Sequence, residues 1–235
     1  MKLSVIIPIF NETATLNHIV ERVQSAPFEK EILLIDDGST DGSSEQISRL
    51  SENDNITVFH HEVNKGKGAA VRTGIEKATG DIILVQDADL EYDPKDYEKI
   101  LAPFENDDAD VVFGSRFIGG QAHRVLYFWH SVGNRILTIF SNVLSDLNLT
   151  DMEVCYKAFR SEVIQNIKLK EDRFGFEPEV TAKISRYRKE NGQRLRIYEV
   201  GITYFGREYA EGKKIGWRDG VSAVWCILKY NTWDR

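Results

Sequence analysis

The sequence predicts a single α/β domain with a mostly parallel central sheet flanked by helices. Three observations carry the prediction. Short continuous runs rich in Ile, Leu and Val recur through the first half of the chain. Segments with helical apolar spacing separate them. Acidic residues stand directly after several of the runs. Alternating strands and helices with short connections describe a doubly wound sheet, which binds its ligands beyond the carboxyl ends of its strands.

Leu3 to Ile9 is the first run and suits a strand buried on both faces. Polar residues Asn11 to Thr15 follow, then Leu16, Ile19, Val20 and Val23 at helical spacing. Glu31 to Ile35 is a second strand, ending abruptly at Asp36-Asp37-Gly38-Ser39. Ser43 to Leu50 reads as a helix and Ile56 to His60 as a third strand. Lys65 to Lys77 opens with glycines and turns helical. Asp81 to Gln86 and Asp110 to Gly114 supply a fourth and a fifth strand. Beyond Gly114 the regular alternation stops. Helices are expected over Arg124 to Leu144, Phe176 to Arg188 and Trp217 to Tyr230, with a late strand over Arg196 to Phe205.

The 235 residues contain no Pro/Gly/Ser-rich linker and no repeat, which points to one domain. A formal net charge of −7 argues against nucleic acid as a partner. Cys155 and Cys226 stand far apart without CxxC spacing. Neither a disulfide framework nor a zinc site is expected, and a reducing compartment fits. The N-terminal apolar run is too short for a signal peptide, and no stretch reaches the ~18 apolar residues of a membrane span. The expected location is the cytosol, or at most the cytoplasmic periphery of a membrane.

The strand ends collect acids: Glu12 after the first, Asp36 and Asp37 after the second, Asp87 and Asp89 after the fourth. Such crowding calls for a divalent cation or for hydroxyl and N–H donors. Asp87-Ala88-Asp89 offers carboxylates to a hard cation such as Mg2+ or Mn2+; taken alone, it reads equally as a solvated acidic turn. Asp36 to Asp41 can accept from a base or ribose, or simply cap the next helix. Asn64-Lys65-Gly66-Lys67-Gly68 opens a helix, which suits a phosphate or a plain turn.

In combination the motifs are more specific. Val5-Ile6-Ile7-Pro8, Asn11-Glu12, Asp36 to Asp41, Asn64-Lys65-Gly66, Gly80-Asp81 and Asp87-Ala88-Asp89 stand in an order that resembles family 2 glycosyltransferases of the GT-A fold, across residues 3–118. Asp87-Ala88-Asp89-Leu90-Glu91 resembles the Asp-Ala-Asp-Leu-Gln of dolichyl- and polyprenyl-phosphate sugar synthases, with Glu91 in place of glutamine. Gly114 to Phe117, Thr150-Asp151 with Tyr156 to Arg160, and Arg207 with Gly212 to Ile215 resemble their later motifs. Met152-Glu153-Val154-Cys155 departs from the usual sequence after that aspartate.

The resemblance implies a Rossmann-like GT-A fold, with residues 1–118 binding the nucleotide sugar and 119–235 the acceptor. It implies inverting transfer of a hexose from a UDP- or GDP-linked donor to a polyprenyl phosphate such as dolichyl or undecaprenyl phosphate. The alternative is a soluble enzyme acting on a saccharide or other hydroxyl acceptor. Carried over by residue, Pro8, Asn11, Glu12 and Asp36 line the nucleoside pocket, with Lys65 and Glu91 also on the donor side. Asp87 and Asp89 hold the divalent metal and the donor sugar, while Arg207 and Lys214 approach the diphosphate from a closing basic loop. Arg124, Ser131 and Arg135 face the acceptor phosphate. The reacting centre falls to Asp89, Arg116 and Asp151.

A lipid phosphate is already an anionic nucleophile and needs no general base. A hydroxyl acceptor needs a carboxylate, for which Asp151 and Glu153 are the candidates; Glu153 also reads as a surface loop residue. Val125 to Leu144 and Val221 to Trp233 carry aromatic and aliphatic side chains with basic neighbours. They fit interfacial helices or core helices, and the resemblance favours contact with a membrane or a membrane partner subunit. Phe174 to Glu179 is a helix start whose acids suit the macrodipole, and a structural role is expected for them.

Overall fold

The computed structural model describes residues 1–119, 124, 127–207 and 217–234. Lys214 and the rest of the expected closing loop after Arg207 lie outside the described residues.

Seven strands form one sheet: β1 (Leu3–Ile9), β2 (Lys30–Asp36), β3 (Ile56–His60), β4 (Ile82–Val85), β5 (Val111–Ser115), β6 (Lys157–Arg160) and β7 (Ile197–Gly201). Their order is β3-β2-β1-β4-β6-β5-β7. All neighbours pair in parallel except β6, which runs antiparallel to both β4 and β5. The central β1 is buried on both faces apart from half-buried Pro8, as its unbroken apolar run requires.

The helices are α1 (Leu16–Ser25), α2 (Ser43–Leu50), α3 (Lys67–Lys77), α4 (Tyr97–Asn106), α5 (Phe128–Ser145), α6 (Ser161–Ile164), α7 (Phe176–Arg186) and α8 (Trp217–Thr232). α1 buries Leu16, Ile19, Val20 and Val23, the four residues whose spacing predicts it. Each such side chain contributes about 1.5–3 kcal/mol on leaving water.

Three features differ from the expectations. β6 stands where no strand was expected, because its two ends are charged and its apolar centre spans only Ala158 and Phe159. α4 fills the segment between the fourth and fifth strands. Asp93 starts the turn before it by accepting from the Lys95 amide at 3.1 Å, and α4 then buries Tyr97, Ile100, Leu101 and Phe104. The late strand stops at Gly201, and Tyr204 makes only an isolated bridge to Tyr92.

The carboxyl ends of β1, β2, β4 and β5 share one edge of the sheet. The start of β6 lies there too, since Ala158 pairs with Leu84 and Lys157 with Phe113.

Candidate active site

A cavity of about 810 Å³ opens at that edge. Pro8, Phe10 and Glu12 line it from the end of β1, and Asp87, Asp89 and Glu91 from beyond β4. Arg116, Arg124, Ser131 and Arg207 face it from later in the chain.

Two neighbouring aspartates have different surroundings. Asp36 accepts from the Ser39 amide at 3.0 Å and the Ser44 hydroxyl at 2.6 Å, and pairs with His60 Nδ1 at 3.0 Å. Asp37 accepts from the Lys65 and Gly66 amides at 3.0 and 2.7 Å and from Asn64 Nδ2 at 2.9 Å, and meets His61 Nδ1 at 2.6 Å. Asp37 thereby fixes the turn into α3. Gly66 sits there at φ +106°, where a Cβ would lie 2.4 Å from the Asp172 carbonyl oxygen. Asn11, itself at φ 55°, accepts from the Thr40 amide at 2.8 Å and ties the end of β1 to the turn after β2. This geometry leaves Lys65 exposed and outside the cavity lining, while Lys67 reaches in.

Two cations converge on the acidic turn after β4. Lys67 Nζ lies 2.9 Å from Asp87 Oδ1 and 3.4 Å from Glu177 Oε1 of α7. Arg207 Nη2 lies 2.9 Å from Asp89 Oδ2, with Glu12 Oε2 at 3.5 Å and Glu91 Oε1 at 3.6 Å from the same guanidinium. Glu91 anchors that arrangement by accepting from the Arg207 amide and the Tyr204 hydroxyl, each at 2.8 Å. Burial, then Asp87 and Glu91, push the Asp89 carboxyl up to about 7 despite Arg207. Among the described residues, no three His, Cys, Asp or Glu side chains form a closed metal site. Asp87 and Asp89 nevertheless fit a hard divalent cation, because they are adjacent carboxylates crowded by like charge, and phosphate oxygens would complete its shell.

Arg116 and Asp151 make a two-pronged pair, Nε to Oδ2 at 2.6 Å and Nη2 to Oδ1 at 2.7 Å. Asn134 Nδ2 donates to Asp151 at 3.1 Å, and the guanidinium lies 5.3 Å from the Tyr204 ring centre. Burial would raise the Asp151 carboxyl, but Arg116 outweighs it and holds the carboxyl below its usual range. Both carboxylate oxygens are committed to these donors. Arg124 donates to the Gly206 carbonyl at 3.1 Å at the cavity wall. Ser131 lines the cavity one helical turn before Arg135, which is exposed and does not.

Lys67, read only as part of a candidate phosphate turn, and Glu177, read as a structural first-turn acid, both line the cavity. Both are contributed by helix starts, and the loop before α7 packs on the start of α3, where the Ala69 amide donates to the Asp172 carbonyl at 3.0 Å. Glu153 lines the cavity rather than the surface. Its Oε1 is buried without a hydrogen-bond partner, and burial followed by Glu177 pushes the carboxyl up to about 8.

The family described as Glycosyl transferase family 2 matches residues 4–168. The chain belongs to that family. This family 2 glycosyltransferase is 29% identical to an undecaprenyl-phosphate mannosyltransferase of Micrococcus luteus, over 95% of this chain and 92% of the relative. It is 28% identical to a dolichol-phosphate mannosyltransferase of Pyrococcus furiosus, covering 92% of this chain but 60% of that longer relative. Among solved structures it is similar to glucosyl-3-phosphoglycerate synthase from Mycobacterium tuberculosis, crystallised with Mn2+, UDP and phosphoglyceric acid. The TM-score is 0.74 at 16% identity, over 98% of this chain and 78% of that one. The GT-A fold that the motifs imply is borne out.

Proposed function

We propose that this glycosyltransferase moves a hexose, with inversion, from a nucleoside-diphosphate sugar to a polyprenyl phosphate. The observation that carries the reading is one cavity that gathers the carboxylates Asp87, Asp89 and Glu91 with the guanidinium groups of Arg116, Arg124 and Arg207. The carboxylates suit the cation that accompanies a donor diphosphate, and the arginines suit phosphate groups of donor and acceptor. Tyr127 and Phe128 line the cavity and are also exposed, so it reaches an apolar surface. The named activities of the Micrococcus and Pyrococcus relatives agree with this reading.

Residues 1–118 supply most of the donor side and residues 119–235 most of the acceptor side, with Arg207 joining the donor and Arg116 the acceptor. Pro8 and Glu12 line the nucleoside side of the cavity, while Asn11 and Asp36, outside its lining, brace the turn after β2 behind it. Asp87 and Asp89 would hold a divalent cation, which when bound supplies charge neutralisation for the leaving diphosphate. Arg207 stands ready to exchange its carboxylate partners for phosphate oxygens. Arg116 is locked in orientation by Asp151, and with Arg124 it presents positive charge to an incoming phosphate. Such an acceptor is already a nucleophile, so catalysis rests on alignment and on charge stabilisation. A hydroxyl acceptor would have to use Glu153 as base, because Asp151 is saturated by Arg116 and Asn134.

No described helix is long and apolar enough to cross a membrane. α5 packs against α8, and the pair exposes Phe128, Trp129, Ile139, Val143, Val221 and Trp225. Trp129 is 76% exposed. This face, beside the cavity mouth, fits peripheral contact with the bilayer that holds a polyprenyl acceptor.

The decisive experiment incubates radiolabelled UDP- and GDP-hexoses with polyprenyl phosphate and Mg2+ or Mn2+. A glycosylated lipid is the expected product. Transfer to saccharides alone would overturn the lipid acceptor.

A further inference from the structure

The unpartnered carboxyl of Glu153 lies in a mixed cluster on the cavity wall. Glu177, 4% exposed, stands at the first turn of α7. Lys67 joins Glu177 to Asp87. Cys155, buried, lines the same wall. Behind them Lys157 is fully buried, and its ammonium donates to the Val154 carbonyl rather than to either glutamate. The one cation of the cluster that lines the cavity is therefore shared between two carboxylates, and Glu153 Oε1 is left with no donor. An unsatisfied buried acceptor costs about 1–3 kcal/mol, so a donor from a ligand has a place to go.

Position says which part of the ligand arrives there. Asp87 marks the diphosphate under the proposed function, and the sugar is joined directly to that diphosphate. Lys67 stands within ion-pair distance of both Asp87 and Glu177. A hexose hydroxyl donates to a carboxylate and accepts from an ammonium, which matches what the wall offers. A hexuronate would instead set a carboxylate, with no proton to donate, beside the Glu177 and Asp87 carboxylates that already share Lys67.

We propose that Glu153 and Glu177, with Lys67, form the subsite that reads the hydroxyls of the transferred sugar and selects a neutral hexose over a hexuronate. The inference rests on the nucleotide-sugar reading above. Glu153 acts there by binding the sugar, not as the base of a hydroxyl acceptor.

Calorimetric binding in the presence of Mn2+ tests it, using UDP, UDP-glucose and UDP-glucuronate, and in parallel GDP, GDP-mannose and GDP-mannuronate. In the wild type the hexose donor should bind at least about tenfold tighter than its uronate, as expected where a mismatched ligand leaves buried groups unpaired. Glu153→Gln and Glu177→Gln should each shrink that ratio severalfold while leaving the affinity for the bare diphosphate within about twofold. Circular dichroism and bare-diphosphate binding establish that each variant is folded. A hexose-to-uronate ratio unchanged in both folded variants would overturn the subsite. So would a Glu153→Gln enzyme whose turnover collapses while sugar binding stays intact, since that is the behaviour of a base. Failure of the wild type to bind any of the six ligands would instead overturn the nucleotide-sugar reading itself.

Discussion

Asp151 grips Arg116 through both carboxylate oxygens, at 2.6 and 2.7 Å, and through the Arg116 amide at 3.1 Å. The aspartate is fully buried, and the arginine side chain is 17% exposed. The geometry makes Asp151 a positioning residue whose loss strands a charge. Asp151→Ala should lower unfolding free energy by about 3–5 kcal/mol, as when one partner of a buried pair is removed. Asp151→Asn, which keeps the shape, should cost less. The folded-state pKa of Asp151 is depressed, so its contribution is present above the ordinary aspartate value and is lost as pH falls through the folded one. Urea titrations at neutral and acid pH measure both effects. An alanine variant as stable as wild type would remove the pair from the account of stability.

The metal assignment predicts that Asp87→Asn and Asp89→Asn each reduce turnover about a hundredfold or more while leaving the circular dichroism spectrum unchanged. EDTA should abolish transfer and added Mg2+ or Mn2+ restore it. Full activity in EDTA would end the assignment.

Arg124 donates to the Gly206 carbonyl at the cavity wall, and under the proposed function it meets the acceptor phosphate. Arg124→Ala should raise KM for the phosphorylated lipid about tenfold, the scale of one charge-assisted hydrogen bond, with donor affinity nearly unchanged. A matching loss of donor affinity would place Arg124 on the nucleotide side.

Glu153 gives a pH signature. Its folded-state value of about 8 lies above the ordinary 4.5, so the folded chain holds this proton more tightly than the unfolded one. The favourable contribution is complete below the ordinary value and disappears as pH rises through about 8. Wild type should lose stability across that window relative to Glu153→Gln. Parallel stability curves for the two proteins would show that the carboxyl is solvated after all.

The exposed aromatic face predicts sedimentation with liposomes. Trp129→Glu and Trp225→Glu, changed together, should cut the bound fraction about tenfold or more without altering donor binding. Equal sedimentation of variant and wild type would exclude this face as the membrane contact.

Much of this was legible in the residues. Leu3–Ile9, Ser43–Leu50 and Ile56–His60 coincide with β1, α2 and β3 because each is bounded by polar turn residues and has an unmixed pattern. β6 was not, since Lys157 reads as solvent-seeking until its ammonium finds a backbone carbonyl inside the protein. Asp87, Asp89 and Arg116 were marked as site residues by local motifs. Lys67 was masked by Lys65 two positions earlier, and only the turn fixed by Asp37 decides which lysine faces the cavity. Glu177 looked like an ordinary first-turn acid. Its neighbour Glu179 is one, accepting from the Lys170 and Glu171 amides at 2.8 and 2.7 Å.

The reversed direction of β6 has a consequence for how such an enzyme can diversify. The chain leaves the sheet at the end of β5 and re-enters at the start of β6, and the pairing of Phe113 with Lys157 places those two points side by side. The excursion between them carries α5, and Arg116 clasps Asp151 across its base. A segment that departs and returns at one clasped point can be lengthened, shortened or exchanged with little effect on the strand register on either side. Acceptor preference could thus drift in evolution while the donor chemistry stayed fixed on β1 and β4.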